Sequence, residues 1–161
     1  MVLTAAHCGE GSDLNFDVFA GSEYLSDRFD NRYGEMLYPK NRWSHPDFNF
    51  GTMNNDFLIY QLKNPVTVDV AVVRVNDDSK NPSRQGDRLV ALGWGNTNAN
   101  GAYKGSDALM EVGVGYIPNT DCRKRTGYVG NDYVSYQSQV EDSMLCSLDN
   151  GKDGCQGEHL F

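Results

Sequence analysis

No stretch of this chain approaches the roughly 20 consecutive apolar residues needed to span a bilayer. The opening "MVLTAAHCGEG" has neither a basic leader nor an apolar core long enough to read as a secretory signal. Cationic residues are scarce as well: 14 Lys and Arg stand against 22 Asp and Glu, a formal charge of −8. That balance repels phosphates, so neither nucleic acid nor an anionic membrane surface is an expected partner. Prolines number only 5, and there is no internal repeat and no low-complexity tract. What remains is a globular composition, 39% hydrophobic and 22% charged, in a chain long enough for one good core or two meagre ones.

The 17 glycines and many Asn and Asp residues are spread evenly, and short apolar runs lie between them. "DVFAG", "DFLIYQL", "VDVAVVRV", "RLVALGWG", "MEVGVGYI" and "SMLCSL" read as strands, several with period two, such as Val112, Val114 and Tyr116 on one face. The one helix candidate is "NTDCRKRTG", residues 119–127, capped by Asn119 or Thr120 and ended by Gly127. Many short strands without helical crossovers predict an all-β fold, an antiparallel sandwich or barrel. The polar stretch 76–87, "NDDSKNPSRQGD", reads as a linker between a β unit over 1–75 and another over 88–161.

Four cysteines, Cys8, Cys122, Cys146 and Cys155, permit three full pairings, or four thiols in a reducing compartment. Cys155 and His159 make a loose zinc half-site, but no second ligand pair at finger-like spacing accompanies it, so no metal is expected.

Chemistry concentrates in four stretches. In "VLTAAHC" an apolar strand delivers the small residues Ala5 and Ala6 and then His7, and small neighbours leave an imidazole free to accept a proton. On its own His7 reads as an ordinary strand-end histidine. In "NNDFLIYQL", Asp56 opens a strongly apolar strand. Asn55-Asp56 is either a plain turn or the start of a buried carboxylate that holds a histidine tautomer. "GWG" at 93–95 and "KDGCQG" at 152–157 supply glycines where backbone packs or approaches a ligand closely.

Taken together, these segments resemble the trypsin-like serine endopeptidase family. "VLTAAHC", "HPDFN" (45–49), "NDFLIYQL", "LVALGWG", "LMEVGVGYIPNTDC", "DSMLCS" and "KDGCQG" follow in the family's order and cover essentially the whole chain. The resemblance implies two antiparallel Greek-key β-barrels that form a single peptidase domain. It implies His7 as general base, Asp56 as its orienting carboxylate and Gly157 as a backbone donor to the oxyanion hole. Asp153 stands where members of the family keep an acid at the floor of the primary specificity pocket, which implies cleavage after Arg or Lys, because a buried carboxylate there needs a cation. Cys122 and Cys146 match a family disulfide, and closing a loop of roughly 25 residues stabilises a domain by about 3 kcal/mol. Some members carry a calcium loop near "GSEYLSD", but Glu23 is not expected to hold an ion, and no cofactor is implied. Partners are protein or peptide substrates and, as a further class, protease inhibitors. Secretion follows from the resemblance and its disulfides.

The pattern breaks after Gly157, where the family continues Asp-Ser-Gly-Gly-Pro and this chain reads Glu158-His159. His159 stands at the nucleophile's position, and an imidazole does not replace a hydroxyl beside another histidine. Cys8 should pair upstream and Cys155 downstream with cysteines the sequence does not contain, so both are expected to be unpaired. Both barrels are accordingly expected to be incomplete, with open strand edges. Gly157-Glu158 can be encoded with a splice-donor sequence. The expectation is therefore that residues 158–161 are intron read-through, that Met1 is an internal methionine, and that the chain as written is proteolytically silent. The alternative is a non-catalytic pseudoprotease that serves as a binding module.

Overall fold

A computed structural model describes residues 1–9, 17–98, 104–129 and 132–149. In chain order the strands are β1 (Val2–Thr4), β2 (Val18–Ala20), β3 (Glu35–Leu37), β4 (Pro39–Ser44), β5 (Leu58–Leu62), β6 (Arg88–Gly93) and β7 (Met110–Ile117). An α-helical turn, α1 (Asn119–Cys122), follows, and then β8 (Thr126–Val129), β9 (Asp132–Ser135) and β10 (Cys146–Leu148). The fold is all-β, with very little helix. Among the described residues no helix is long and apolar enough to cross a membrane.

All strand pairing among the described residues is antiparallel. One three-stranded sheet runs β1-β5-β4, a second runs β10-β7-β6, and β2-β3 and β8-β9 are two-stranded ribbons. The first sheet is built on the alternation of β5, in which Leu58 and Tyr60 are buried while Ile59 between them is exposed. With Ala6 they form a core cluster, flanked by Val2 and Phe48. Burying each large apolar side chain of this kind is worth about 1.5–3 kcal/mol. In the second sheet Val114 and Ile117 are the buried residues of β7. Residues 22–26 also meet residues 107–109: Tyr24 bridges Ala108, Leu109 donates its N–H to the Glu23 carbonyl at 2.7 Å, and Asp107 accepts from Ser26.

Two expectations from the sequence are corrected. "VDVAVVRV" forms no strand: residues 68–75 carry no strand pairing, and Val72 and Val73 are 94% and 77% exposed. β-propensity alone does not make a strand without a neighbour to hydrogen-bond. The helix is also shorter than residues 119–127. It stops at Cys122, and Thr126 and Gly127 belong to β8. Its N-cap is Pro118, with no side-chain cap. Asn119 instead turns its Nδ2 to the carbonyls of Glu141 and Met144, at 3.1 and 2.8 Å. A long-range bond has displaced the local cap.

Candidate active site

His7 sits in a turn of 3-10 helix, Ala6–Cys8, three residues past the end of β1. Asp56 lies two residues before β5. The β1–β5 register pairs Thr4 with Leu58. Antiparallel pairing therefore sets the chain leaving β1 beside the chain entering β5, and brings together two residues 49 apart in sequence. Small residues make the approach close. Ala6 is fully buried against the Leu58–Tyr60 cluster. At Gly9 a Cβ would run into Leu58 Cδ2 and the Tyr60 hydroxyl, so any side chain there would have to displace them.

The Asp56 carboxylate engages His7 twice. Oδ1 accepts the His7 backbone N–H at 2.9 Å, and Oδ2 lies 2.6 Å from ring Nδ1. An ionised carboxylate only accepts, so Nδ1 must carry the proton and Nε2 is left as the ring's acceptor. The Asp56 side chain is 22% exposed and that of His7 40%, so the ring reaches solvent while its partner is largely covered. Cys8 Sγ lies 3.4 Å from Nε2. Burial, and then the negative charge of Asp56, push the Cys8 thiol above its ordinary value, which keeps it protonated beside the imidazole.

The loop that carries Asp56 is held from several sides. Asn55 adopts a left-handed conformation, φ 56°, which Asn tolerates better than most residues. Its Nδ2 donates to the Asp47 carbonyl at 3.1 Å, and its carbonyl accepts from Phe57 N at 2.8 Å. Its own N–H donates to Ser143 Oγ at 2.9 Å, across 88 residues. His45 is turned into its own loop, where Nδ1 accepts from Asp47 N at 3.1 Å. Sequence reasoning missed Ser143, which lies in "DSMLCS" just ahead of β10 and carries no local signal of a distant partner.

Cys122 and Cys146 are joined in a disulfide, with Cα atoms 6.4 Å apart. It ties α1 to the start of β10. Among the described residues no group of three or more His, Cys, Asp or Glu is placed to hold a metal ion. Glu23 contributes its carbonyl oxygen to Trp94 Nε1 at 2.9 Å and to Leu109 N. Asp153, Cys155, Gly157 and His159 lie outside the described residues.

In comparison with known proteins, the family described as Trypsin matches residues 1–158. The venom serine protease Bi-VSP of Bombus ignitus is 32% identical over 164 residues, covering 98% of this chain and 43% of that protein. Trypsin alpha of Drosophila melanogaster is 27% identical over 159 residues, covering 98% and 57% respectively. A trypsin of Sus scrofa is 27% identical over 165 residues, covering 98% and 62%. The chain spans about half the length of the curated relatives it matches.

Proposed function

Because this chain belongs to the trypsin family, we propose that it carries the base half of a serine endopeptidase site, with His7 as general base and Asp56 as its orienting carboxylate. The observation that carries this reading is the double contact of Asp56 with the backbone N–H and ring Nδ1 of His7. In the reaction, a serine hydroxyl gives its proton to Nε2 as the oxygen attacks the scissile carbonyl, and the same proton then passes to the leaving amine. Through both steps the Nδ1 proton stays on the ring, and Asp56 steadies the imidazolium that forms.

On this reading Gly157 contributes a backbone donor to the oxyanion, and Asp153 selects Arg or Lys on the substrate. The Cys122–Cys146 disulfide supports an oxidising, extracellular setting. His159 at the nucleophile's position favours a second reading for the product as written, a non-hydrolytic binding module of the same fold.

Sequencing the source transcript through the Gly157 codon, then labelling the expressed product with a fluorophosphonate probe, tests both readings. A product reading Gly157-Asp-Ser should label and should hydrolyse Arg and Lys amides, and His7→Ala or Asp56→Asn should abolish both. Activity that survives His7→Ala overturns the base assignment. A product reading Glu158-His159 that binds a peptide or protein partner without labelling establishes the second reading.

A further inference from the structure

The Ser143 hydroxyl has two bonds, both to the loop that presents Asp56. It donates to Asn54 Oδ1 and accepts the Asn55 N–H at 2.9 Å. One hydroxyl supplies one donor, so this pairing fixes both the rotor and the direction of each bond. The other bonds described for Asn54 and Asn55 come from nearby in the chain: Asn49 N to the Asn54 carbonyl at 3.1 Å, Asn54 N to Thr52 Oγ1 at 3.3 Å, Asn55 Nδ2 to the Asp47 carbonyl at 3.1 Å and Phe57 N to the Asn55 carbonyl at 2.8 Å. Ser143 reaches them from the other half of the molecule.

Ser143 is itself firmly held. Arg123 Nε donates to the Val140 carbonyl at 2.8 Å, and its guanidinium also pairs with Asp142. Asn119 Nδ2 bonds the carbonyls on either side of Ser143, those of Glu141 and Met144. The Cys122–Cys146 disulfide anchors the same segment three residues further on. A short polar residue on a rigid segment therefore grips the two residues immediately before Asp56. Asn55, the nearer of the two, is in the left-handed conformation that sets the chain's direction into Asp56.

We propose that Ser143 is a positioning residue for Asp56: by holding Asn54 and Asn55 it fixes the approach from which the Asp56 carboxylate meets His7. The inference rests on the reading of His7 and Asp56 as a base and its orienting carboxylate, and it adds that the second half of the molecule sets their geometry. Loosening the grip leaves the carboxylate in place on average but frees it to swing, which exposes the Nδ1 proton to solvent.

The test is solvent exchange of the His7 Nδ1 proton and of the Asn55 amide, read by NMR in the full chain labelled with 15N-histidine and 15N-asparagine. Ser143→Ala should speed both exchanges by about fivefold, the size expected for one net hydrogen bond. Ser143→Thr, which keeps donor and acceptor, should restore both. If Ser143→Ala speeds only the Asn55 amide and lowers the melting temperature, Ser143 is merely structural and the proposal is overturned. If Ser143→Ala loses its near-UV circular dichroism, Asn54→Ala takes its place, and an unchanged Nδ1 exchange rate there overturns the proposal. An unmodified chain whose Nδ1 proton ignores Asp56→Asn contradicts the base reading itself, an outcome distinct from either of these.

Discussion

Asp56 commits both carboxylate oxygens to His7, Oδ1 to the backbone N–H at 2.9 Å and Oδ2 to ring Nδ1 at 2.6 Å. A carboxylate satisfies both donors, whereas an amide offers one oxygen and one NH2 group. If the amide of the Asp56→Asn variant gives its oxygen to the backbone N–H, its NH2 faces Nδ1 and forces that nitrogen to be the acceptor. The substitution should therefore move the ring proton from Nδ1 to Nε2. Because both side chains are partly exposed, the stability lost should be only about 1 kcal/mol. Histidine 15N shifts report the tautomer and urea unfolding reports the stability. A large loss of stability without a change of tautomer contradicts the orienting role.

Gly9 tests the packing behind the site. Leu58 and Tyr60, at 0% and 1% exposure, are enclosed, so a new methyl group must displace buried side chains. Gly9→Ala should cost about 1–3 kcal/mol, as overpacking of a filled core does. Leu58→Ala, which empties the same place, should cost about 2–5 kcal/mol. Denaturant midpoints check both. A neutral Gly9→Ala means the 3-10 turn that carries His7 moves freely against the core.

These costs bear on what the sequence could reveal. The strand built around Leu58 and Tyr60 was legible because alternating burial leaves a period-two pattern. The Val-rich run at 68–75 had strand-like residues but no strand to pair with, and pairing is not a local property. The short reach of α1 was hidden for the same reason, since Asn119 serves carbonyls more than 20 residues away instead of capping its own helix. No spacing rule connects His7 with Asp56, and only the family resemblance put them together. Ser143 stayed invisible because a lone serine beside a strand looks like any surface serine.

Acid should loosen a second strap. Glu35 Oε2 accepts Thr67 N at 2.7 Å, Thr67 Oγ1 at 3.0 Å and Val68 N at 3.4 Å, tying residues 67–68 to β3. The Thr67 backbone N–H is the main cause that holds this carboxyl below its usual 4.5. Since the folded value lies below the unfolded one, the strap contributes fully above pH 4.5 and is lost as pH falls through the lower folded value. The Thr67 amide protection factor should therefore be flat near neutrality and drop in acid. Glu35→Gln should lower that protection at neutral pH and remove the acid step. An acid step that persists in Glu35→Gln assigns the effect elsewhere.

The disulfide offers a further perturbation. Reducing Cys122–Cys146, which lie 24 residues apart, should cost about 3 kcal/mol. It should also raise solvent exchange at the Asn55 amide, because the bond anchors the segment that carries Ser143. A melting curve with and without reductant, paired with amide exchange, separates the global effect from the local one. Loss of stability with unchanged Asn55 protection relative to global unfolding means that Ser143 is held without the disulfide.

The most direct measurement is the proton spectrum of the chain labelled with 15N-histidine, with Asp56→Asn and His45→Gln recorded beside it. A downfield proton correlated with Nδ1 of His7 is expected, lost in Asp56→Asn and kept in His45→Gln. A His7 ring protonated only at Nε2 in the unmodified chain, or an Nδ1 proton indifferent to Asp56→Asn, would contradict the assignment of His7 and Asp56 as a base and its orienting carboxylate.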